Sequence, residues 1–197
     1  MRNPTDIALQ RKPRLPENAL RTCNRRLVRP TEHILTVSVE RQRLSHFRLS
    51  SKSLNGFQTR DYWHQREYVI STSRFGTGQK VDSQETPLGL HRIAEKIGAF
   101  APVGTFFRER KPVGMLSEEE PDAPIAHRIL WLAGVERGFN LGGDVDSHSR
   151  YIYIHGVGDE STLGRPASIG CVHMAADDLI PLFDLVPVET LVWISRS

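Results

Sequence analysis

The sequence predicts a mainly β fold, a sheet or β-sandwich with one or two short helices. Short segments rich in β-branched and aromatic residues recur along the chain, and turn-forming residues separate them. These segments do not alternate with long amphipathic helices, which argues against βαβ units. The chain has 197 residues, of which 39% are hydrophobic, so it can bury one sizeable core.

The strand predictions rest on period-two patterns bounded by turn residues. In the segment 151–155, this period places Tyr151, Tyr153 and His155 on one face of a strand. The segment 49–63 is rich in Ser, Asn and Gly and predicts a surface loop. The predicted strands are 34–39 with 43–47 as a hairpin, then 67–73, 90–94, 127–133, 151–155 and 190–194.

Residues 174–186 predict the one clear helix. Its apolar residues include Leu179, Leu182 and Phe183, at helical spacing. Pro181 weakens this pattern and Pro187 ends it. Cys171 is therefore expected where the helix begins.

Residues 1–30 form a basic segment with eight basic and two acidic side chains, a local excess of +6 in a chain of net charge +3. Its prolines and charges, without an apolar period, predict a disordered or loosely docked arm ahead of a folded domain at 31–197. Such an arm could contact an anionic polymer, but it lacks interleaved aromatic residues, and we expect no nucleic-acid partner. We see neither a transmembrane run nor a secretory signal.

The chain has two cysteines, Cys23 and Cys171, which excludes a disulfide-rich miniature fold and multi-cysteine zinc patterns. No pattern supports a bridge between them. A zinc site of His155, Cys171 and His173 has only three ligands, and a redox role for Cys171 lacks an obvious resolving partner. We expect neither a metal nor another cofactor.

The chemically informative segment runs from His155-Gly156 through a loop to Ser168-Ile169-Gly170-Cys171-Val172-His173. A thiolate is a competent nucleophile, and a nearby histidine or a helix N-terminus can lower a cysteine pKa. Gly170 permits close backbone approach, and amides of this turn could form an oxyanion hole. The residues alone support a Cys171–His155 catalytic pair and a buried structural cysteine about equally.

This segment resembles the active-site signature of L,D-transpeptidases with a YkuD-type catalytic domain. Thr86-Pro87-Leu88-Gly89 is similar to a turn of that family, and the likeness extends over about residues 34–195. The resemblance implies the family's β-sandwich-like fold, with Cys171 as nucleophile and His155 as general base. It also makes Gly170 part of the tight turn that presents the thiol, with Ser168 shaping the pocket. We expect the substrate and oxyanion site to comprise these two residues with Gly156 and His173.

The resemblance further implies a peptidoglycan stem peptide as the substrate, in the bacterial cell envelope or periplasm. The thiolate would attack the peptide bond before a terminal D-alanine and release that residue. An amine would then resolve the acyl-enzyme and form a cross-link, or water would resolve it and make the protein an L,D-carboxypeptidase.

Two residues beside Cys171 depart from the family pattern. Ile169 stands where a histidine is usual, and it can neither donate a hydrogen bond nor accept a proton. His173 stands where arginine or asparagine is common, and it is a weaker, titratable cation than arginine. The alternative is therefore a catalytically impaired domain that still binds stem peptides.

Overall fold

The computed structural model describes residues 13–50, 58–116 and 124–197. Within these ranges the chain forms ten strands and two α-helices, which confirms the predicted mainly β fold. The helices are α1 (Glu17–Arg26) and α2 (Ala176–Leu185). The strands are β1 (His33–Ser38), β2 (Arg43–Leu49), β3 (Tyr62–Ser71), β4 (Gly89–Ile97), β5 (Thr105–Arg108), β6 (Lys111–Met115), β7 (Ala126–Gly134), β8 (Tyr153–Gly156), β9 (Val172–Met174) and β10 (Leu191–Ser195).

The strands form one sheet in the order β4-β10-β1-β2-β3-β9-β8-β7-β5-β6. An additional pairing of β4 with β7 closes eight of these strands into a barrel-like layer, from which the β5–β6 hairpin extends. The pairs β1–β10 and β8–β9 are parallel, and the other pairs are antiparallel. Closure leaves the barrel with an inner face and an outer face.

Alternate residues of each strand face opposite sides of this closed sheet. In β1, Leu35 and Val37 belong to the main core cluster, whereas Ile34 belongs to a second cluster on the other face. Helix α2 adds Leu179 and Phe183 to the main core. The hydrophobic residues of the predicted hairpin and helix thus divide between two faces as the period-two and helical patterns require.

Helix α2 runs from Ala176 to Leu185 and lies within the predicted segment. Pro181 is inside the helix, although a proline removes one backbone donor. It lies on the exposed face, where water can reach the carbonyl that loses its partner. Neither described helix is long and apolar enough to cross a lipid bilayer.

Part of the segment predicted to be a disordered or loosely docked arm forms α1, which packs against the outer face of the sheet. Its buried residues Leu20 and Cys23 join Ile34 and Phe47 in the second cluster. The few apolar residues of α1 lie among many charged residues, so the sequence shows no clear helical pattern there. Residues 1–12 lie outside the described residues, and a domain boundary near residue 31 stays a prediction.

A buried carboxylate also fixes α1. Glu136 is 4% exposed, and its Oε1 accepts the N–H of Leu90 at 2.9 Å. Its Oε2 lies 3.5 Å from Arg25 and 3.6 Å from Arg26, in the last turn of the helix. Two cations at the helix C-terminus also interact favourably with the helix dipole.

Among the strand boundaries that differ from prediction, two change which residues lie in loops. Strand β3 begins at Tyr62, so part of the predicted loop 49–63 is extended; residues 51–57 of that loop lie outside the described residues. Strand β8 begins at Tyr153, and Tyr151 has φ +57° in the preceding turn. Only Tyr153 and His155 therefore share a strand face as expected.

The docking of α1 predicts that Leu20→Ala will lower the free energy of unfolding by about 2–4 kcal/mol, because the substitution leaves a cavity under the helix. Arg21→Ala, on the exposed side of the same helix, should change it by less than about 1 kcal/mol, since it removes only an exposed ion pair with Glu17. Urea unfolding of both variants is the measurement. Equal small effects would mean that the helix does not dock.

Buried histidines predict that the protein loses stability in mild acid. Burial lowers the pKa of four histidines below the ordinary value of 6.5, to about 4 for His46, His91 and His173 and about 3 for His155. As the pH falls through 6.5 towards 4, the unfolded chain binds protons that the native state does not. Each such histidine then lowers the unfolding free energy by up to about 1.4 kcal/mol per pH unit.

Urea titrations at pH 7.5, 6.0 and 5.0 measure this dependence. Above pH 7.5 these histidines are neutral in both states and contribute no slope. Stability that stays constant or rises between pH 7.5 and 5.0 would contradict the prediction.

Candidate active site

The parallel pairing of β8 with β9 brings the two parts of the sequence motif together. The register aligns His155 with His173. Two residues earlier on each strand, the same register places Cys171 beside Tyr153. The Tyr153 backbone nitrogen lies 3.4 Å from Cys171 Sγ. These four side chains share the outer face of the sheet, because the residues between them belong to the main core.

His155 is held in one orientation at the end of β8. It is 2% exposed, and its Nδ1 lies 2.8 Å from the carbonyl oxygen of Gly156. A carbonyl oxygen only accepts, so Nδ1 carries the donated proton. Burial, reinforced by the neighbouring His173, lowers the His155 pKa to about 3. The ring is therefore neutral at pH 7, with its lone pair on Nε2.

Cys171 is half-buried and lies at the edge of an apolar cluster formed by Phe107, Ile129, Trp131 and Tyr153. Burial raises the pKa of its thiol to about 11, and the Tyr153 N–H and the charge of Arg150 oppose this shift only in part. The thiol is therefore neutral at pH 7. Its Sγ donates to the carbonyl oxygen of Tyr151 at 3.4 Å.

Within the described residues, no hydrogen bond joins Cys171 Sγ to His155 in this arrangement. The two are diagonal neighbours across the β8–β9 ladder, so rotation of the cysteine side chain changes their separation. Catalytic hydrogen bonds are often long before a substrate binds. Two neutral groups fit general-base removal of the thiol proton better than a preformed thiolate–imidazolium pair.

One expectation from the sequence is wrong: Cys171 does not lie where a helix begins. Strand β9 follows the cysteine, and α2 starts only at Ala176. The N–H of Ala176 is bound at 2.7 Å by the carboxylate of Glu160. The helix N-terminus is thus satisfied elsewhere and does not lower the thiol pKa.

The turn that presents Cys171 is held by two hydroxyl groups. Ser168 Oγ donates to the Cys171 carbonyl oxygen at 2.6 Å and accepts the Gly170 N–H at 3.2 Å. Thr86 Oγ1 donates to the Gly170 carbonyl oxygen at 3.0 Å and accepts the Ser73 N–H at 3.0 Å. Both hydroxyl residues are buried, so they fix the turn against the sheet.

The structure explains why two positions of the motif are occupied by glycine. Gly170 has φ +133°, which favours glycine strongly. A Cβ at Gly156 would lie 2.7 Å from the carbonyl oxygen of Ala126, so β8 approaches β7 too closely for a side chain. The Gly170 N–H already donates to Ser168, and it could bind an oxyanion only by giving up this bond. An oxyanion role for the turn stays a prediction.

The two residues that depart from the family pattern, Ile169 and His173, lie in different environments. Ile169 is 61% exposed beside the turn. His173 is half-buried, its ring centroid lies 4.8 Å from that of His155, and its buried Nδ1 has no hydrogen-bond partner among the described residues. Burial lowers the His173 pKa to about 4. His173 is therefore neutral at pH 7 and adds no positive charge to the site at that pH.

Arg150 organises the loop on the other side of the cysteine. Its guanidinium donates to the carbonyl oxygens of Gly78, Gln79 and Glu85 at 3.1, 2.8 and 2.7 Å. It also donates to Ser83 Oγ at 3.3 Å. The half-buried cation thus ties the 78–85 loop to the turn before β8.

An aromatic platform of Trp131, Tyr151 and Tyr153 adjoins Cys171. Tyr153 meets Trp131 edge to face with ring centroids 5.5 Å apart, and Tyr151 lies 5.7 Å from Trp131. Arg110, at the tip of the β5–β6 hairpin, lies over Trp131 and Tyr151 with Cζ 4.8 and 4.9 Å from the ring centroids. The hairpin therefore reaches over the same face as the cysteine.

In the part of the chain that the structure describes, no group of three or more His, Cys, Asp or Glu side chains is arranged to hold a metal ion. Cys23 and Cys171 are both free thiols. Cys23 is a buried residue of α1 and packs with Ile34 and Phe47.

The model of the YkuD L,D-transpeptidase catalytic domain matches residues 33–194. The chain belongs to this family. The match runs from the start of β1 into β10 and includes every motif residue from His155 to His173. No curated protein was found to be similar to this L,D-transpeptidase domain in sequence.

Solved structures share the fold. Bd1075 of Bdellovibrio bacteriovorus is 18% identical with a TM-score of 0.54, and the match covers 93% of this chain and 54% of that one. A variant of the helical cell shape determining protein Pgp2 of Campylobacter jejuni is 14% identical with a TM-score of 0.50, covering 85% and 48%. This L,D-transpeptidase domain thus spans about half the length of both chains.

Sequence reasoning found the motif of this L,D-transpeptidase domain but missed the residues that support it. Thr86 was noticed only as part of a turn, and its bond to Gly170 joins distant segments. Arg110 and Arg150 gave no sequence signal, because charged loop residues are usually solvated. Trp131 belongs to the predicted strand 127–133; it is 8% exposed, and it also stacks with Arg110.

A raised thiol pKa predicts slow alkylation of Cys171 at neutral pH. With a pKa of about 11, the rate with iodoacetamide should rise about tenfold per pH unit between pH 7 and 10, because only the thiolate reacts. The measurement is mass spectrometry of a Cys23→Ala variant, with Cys171→Ala as the control for the other thiol. Fast alkylation that is independent of pH between 6 and 8 would instead indicate a preformed thiolate.

Proposed function

We propose that this protein is a cysteine-dependent L,D-transpeptidase that acts on peptidoglycan stem peptides. Cys171 is the nucleophile and His155 is the general base. The observation that carries the proposal is the β8–β9 register, which places a half-buried thiol and a neutral imidazole on one face of a family-matched domain.

In the first half-reaction, the thiol attacks the carbonyl carbon of the peptide bond before the terminal D-alanine. His155 Nε2 accepts the thiol proton as the C–S bond forms. Collapse of the tetrahedral intermediate breaks the C–N bond, and the protonated imidazole gives its proton to the departing amine. D-Alanine leaves and a thioester on Cys171 remains.

In the second half-reaction, an amine of another stem peptide attacks the thioester. Neutral His155 accepts a proton from this amine, the C–S bond breaks, and the thiol regains a proton. A new amide bond then cross-links two peptides. If water replaces the amine, the same steps give carboxypeptidase activity.

The environment of His155 supports this role. A base must be unprotonated at working pH, and burial with the Gly156 hydrogen bond keeps Nε2 in that form. The thiol has a high pKa, so it does not ionise before a base takes its proton. Protons would therefore move together with bond formation at the carbonyl carbon.

The replacement of the family histidine by Ile169 bears on the rate, not on the identity of the nucleophile and base. Ile169 is largely exposed, and the turn is held by Ser168 and Thr86. The support of the thiol thus does not depend on a side chain at position 169.

The test uses a disaccharide tetrapeptide ending in D-alanine, with and without an acceptor stem peptide. We expect the wild type to release D-alanine and to form a covalent adduct with a carbapenem. Cys171→Ala should form no adduct and no product. His155→Gln should slow acylation by about 10²–10⁴-fold, the usual contribution of a general base.

Cys23→Ala is the matched control, because it removes the other thiol and leaves the motif intact. Thermal unfolding of each variant separates lost chemistry from lost folding. Cross-linked product identifies a transpeptidase, and a tripeptide alone identifies a carboxypeptidase. A folded wild type that binds the muropeptide without an adduct or D-alanine release would overturn the enzymatic proposal in favour of a binding domain.

A further inference from the structure

The tip of the β5–β6 hairpin has an unusual backbone for its sequence. Arg108 pairs with Lys111, so Glu109 and Arg110 form a two-residue connection. Their φ angles are +48° and +67°, which asparagine and glycine adopt more readily than long side chains do. Arg110 is thus a long charged residue at a position where a smaller residue would be less strained.

The hairpin is fixed to the site by its base. Phe107 of β5 is 2% exposed and packs with Ile129, Trp131 and Tyr153. Phe106 also pairs with Ala126 of β7. The tip therefore has a defined position above the aromatic platform.

Arg110 is half-buried, and its guanidinium is oriented by the platform. It lies over the rings of Trp131 and Tyr151, and its Nη1 donates to Tyr153 Oη at 3.4 Å. Among the described residues, none of its contacts is an ion pair with a carboxylate. The guanidinium presents five donors in a planar fork that suits a carboxylate, and stacking holds it at low entropic cost.

Tyr153 links this cation to the thiol. Its backbone N–H contacts Cys171 Sγ, and its hydroxyl contacts Arg110 at the other end of the side chain. The other cations near the thiol are occupied or absent at pH 7: Arg150 donates to three carbonyl oxygens and Ser83, and His173 is neutral. Arg110 is thus a partly exposed positive charge one tyrosine side chain away from Cys171.

We propose that Arg110 binds the C-terminal carboxylate of the donor peptide, and so selects donors whose last residue has a free α-carboxyl group. This assignment depends on the proposed function only for the identity of the substrate. Its physical basis is a cation near Cys171 that can bind a carboxylate, and this basis does not depend on the proposed function. The terminal residue of the donor would lie between the thiol and the platform, with its carboxylate on the guanidinium fork.

The first experiment tests the cation without any peptide. Iodoacetate and iodoacetamide have the same reactive carbon, and only iodoacetate carries a carboxylate. In a Cys23→Ala background, Arg110→Gln should lower the iodoacetate-to-iodoacetamide rate ratio at Cys171 about fivefold or more. Lys111→Gln, on the same exposed hairpin, is the matched control and should change the ratio less than twofold.

The second experiment uses two donor peptides that differ only in a terminal D-alanine or D-alaninamide. The wild type should prefer the acid, and Arg110→Gln should raise KM for the acid about tenfold and leave KM for the amide unchanged. Arg110→Lys should recover only part of the preference, because lysine lacks the fork. An unchanged reaction of Arg110→Gln with the amide donor would show that the substitution leaves the catalytic chemistry intact.

The outcomes separate the two proposals. No turnover by the wild type with either donor, together with a changed alkylation ratio, would overturn the proposed function but support a carboxylate site at Arg110. An unchanged ratio in Arg110→Gln would overturn the Arg110 assignment whatever the activity. Equal losses with acid and amide donors would also overturn it, because the C-terminal carboxylate would not be the group that Arg110 binds.

Discussion

The candidate site depends on one parallel strand pair. Parallel neighbours require a crossover, and the chain between β8 and β9 supplies it with the loop that ends in Ser168, Gly170 and Cys171. A slip of one residue in this register would turn Cys171 and His173 into the core and move Val172 to the surface. The buried apolar residues Ile154 and Val172 therefore fix the geometry of the candidate site as well as the fold.

The electrostatics of the site follow from its position on a covered outer face. Burial is the main reason why the charged forms of both Cys171 and His155 are disfavoured. Burial raises the pKa of the Cys171 thiol and lowers the pKa of the His155 ring. Both groups are therefore neutral at pH 7. In the proposed reaction, the thiol therefore stays unreactive until a substrate carbonyl and a base meet it together.

Local patterns predicted much of the fold, because period-two segments such as 34–39 and 127–133 report burial directly. The motif around Cys171 was also visible, since its residues are close in sequence. The helix α1 was not predicted, because its apolar residues are few and only the distant Glu136 and Phe47 explain why it docks. The roles of Thr86, Arg110 and Arg150 depend on contacts across the barrel that no local pattern contains.

The place of β10 between β4 and β1 has a consequence for how the chain folds. Leu191 pairs with Ile34 on one side and with Arg92 on the other, so the ring of strands closes only through residues far apart in sequence. Contacts of this kind slow folding. Until β10 arrives, β1 and β4 each present an open edge to which a strand of another molecule can pair. The interval before closure is thus when this chain is most exposed to aggregation.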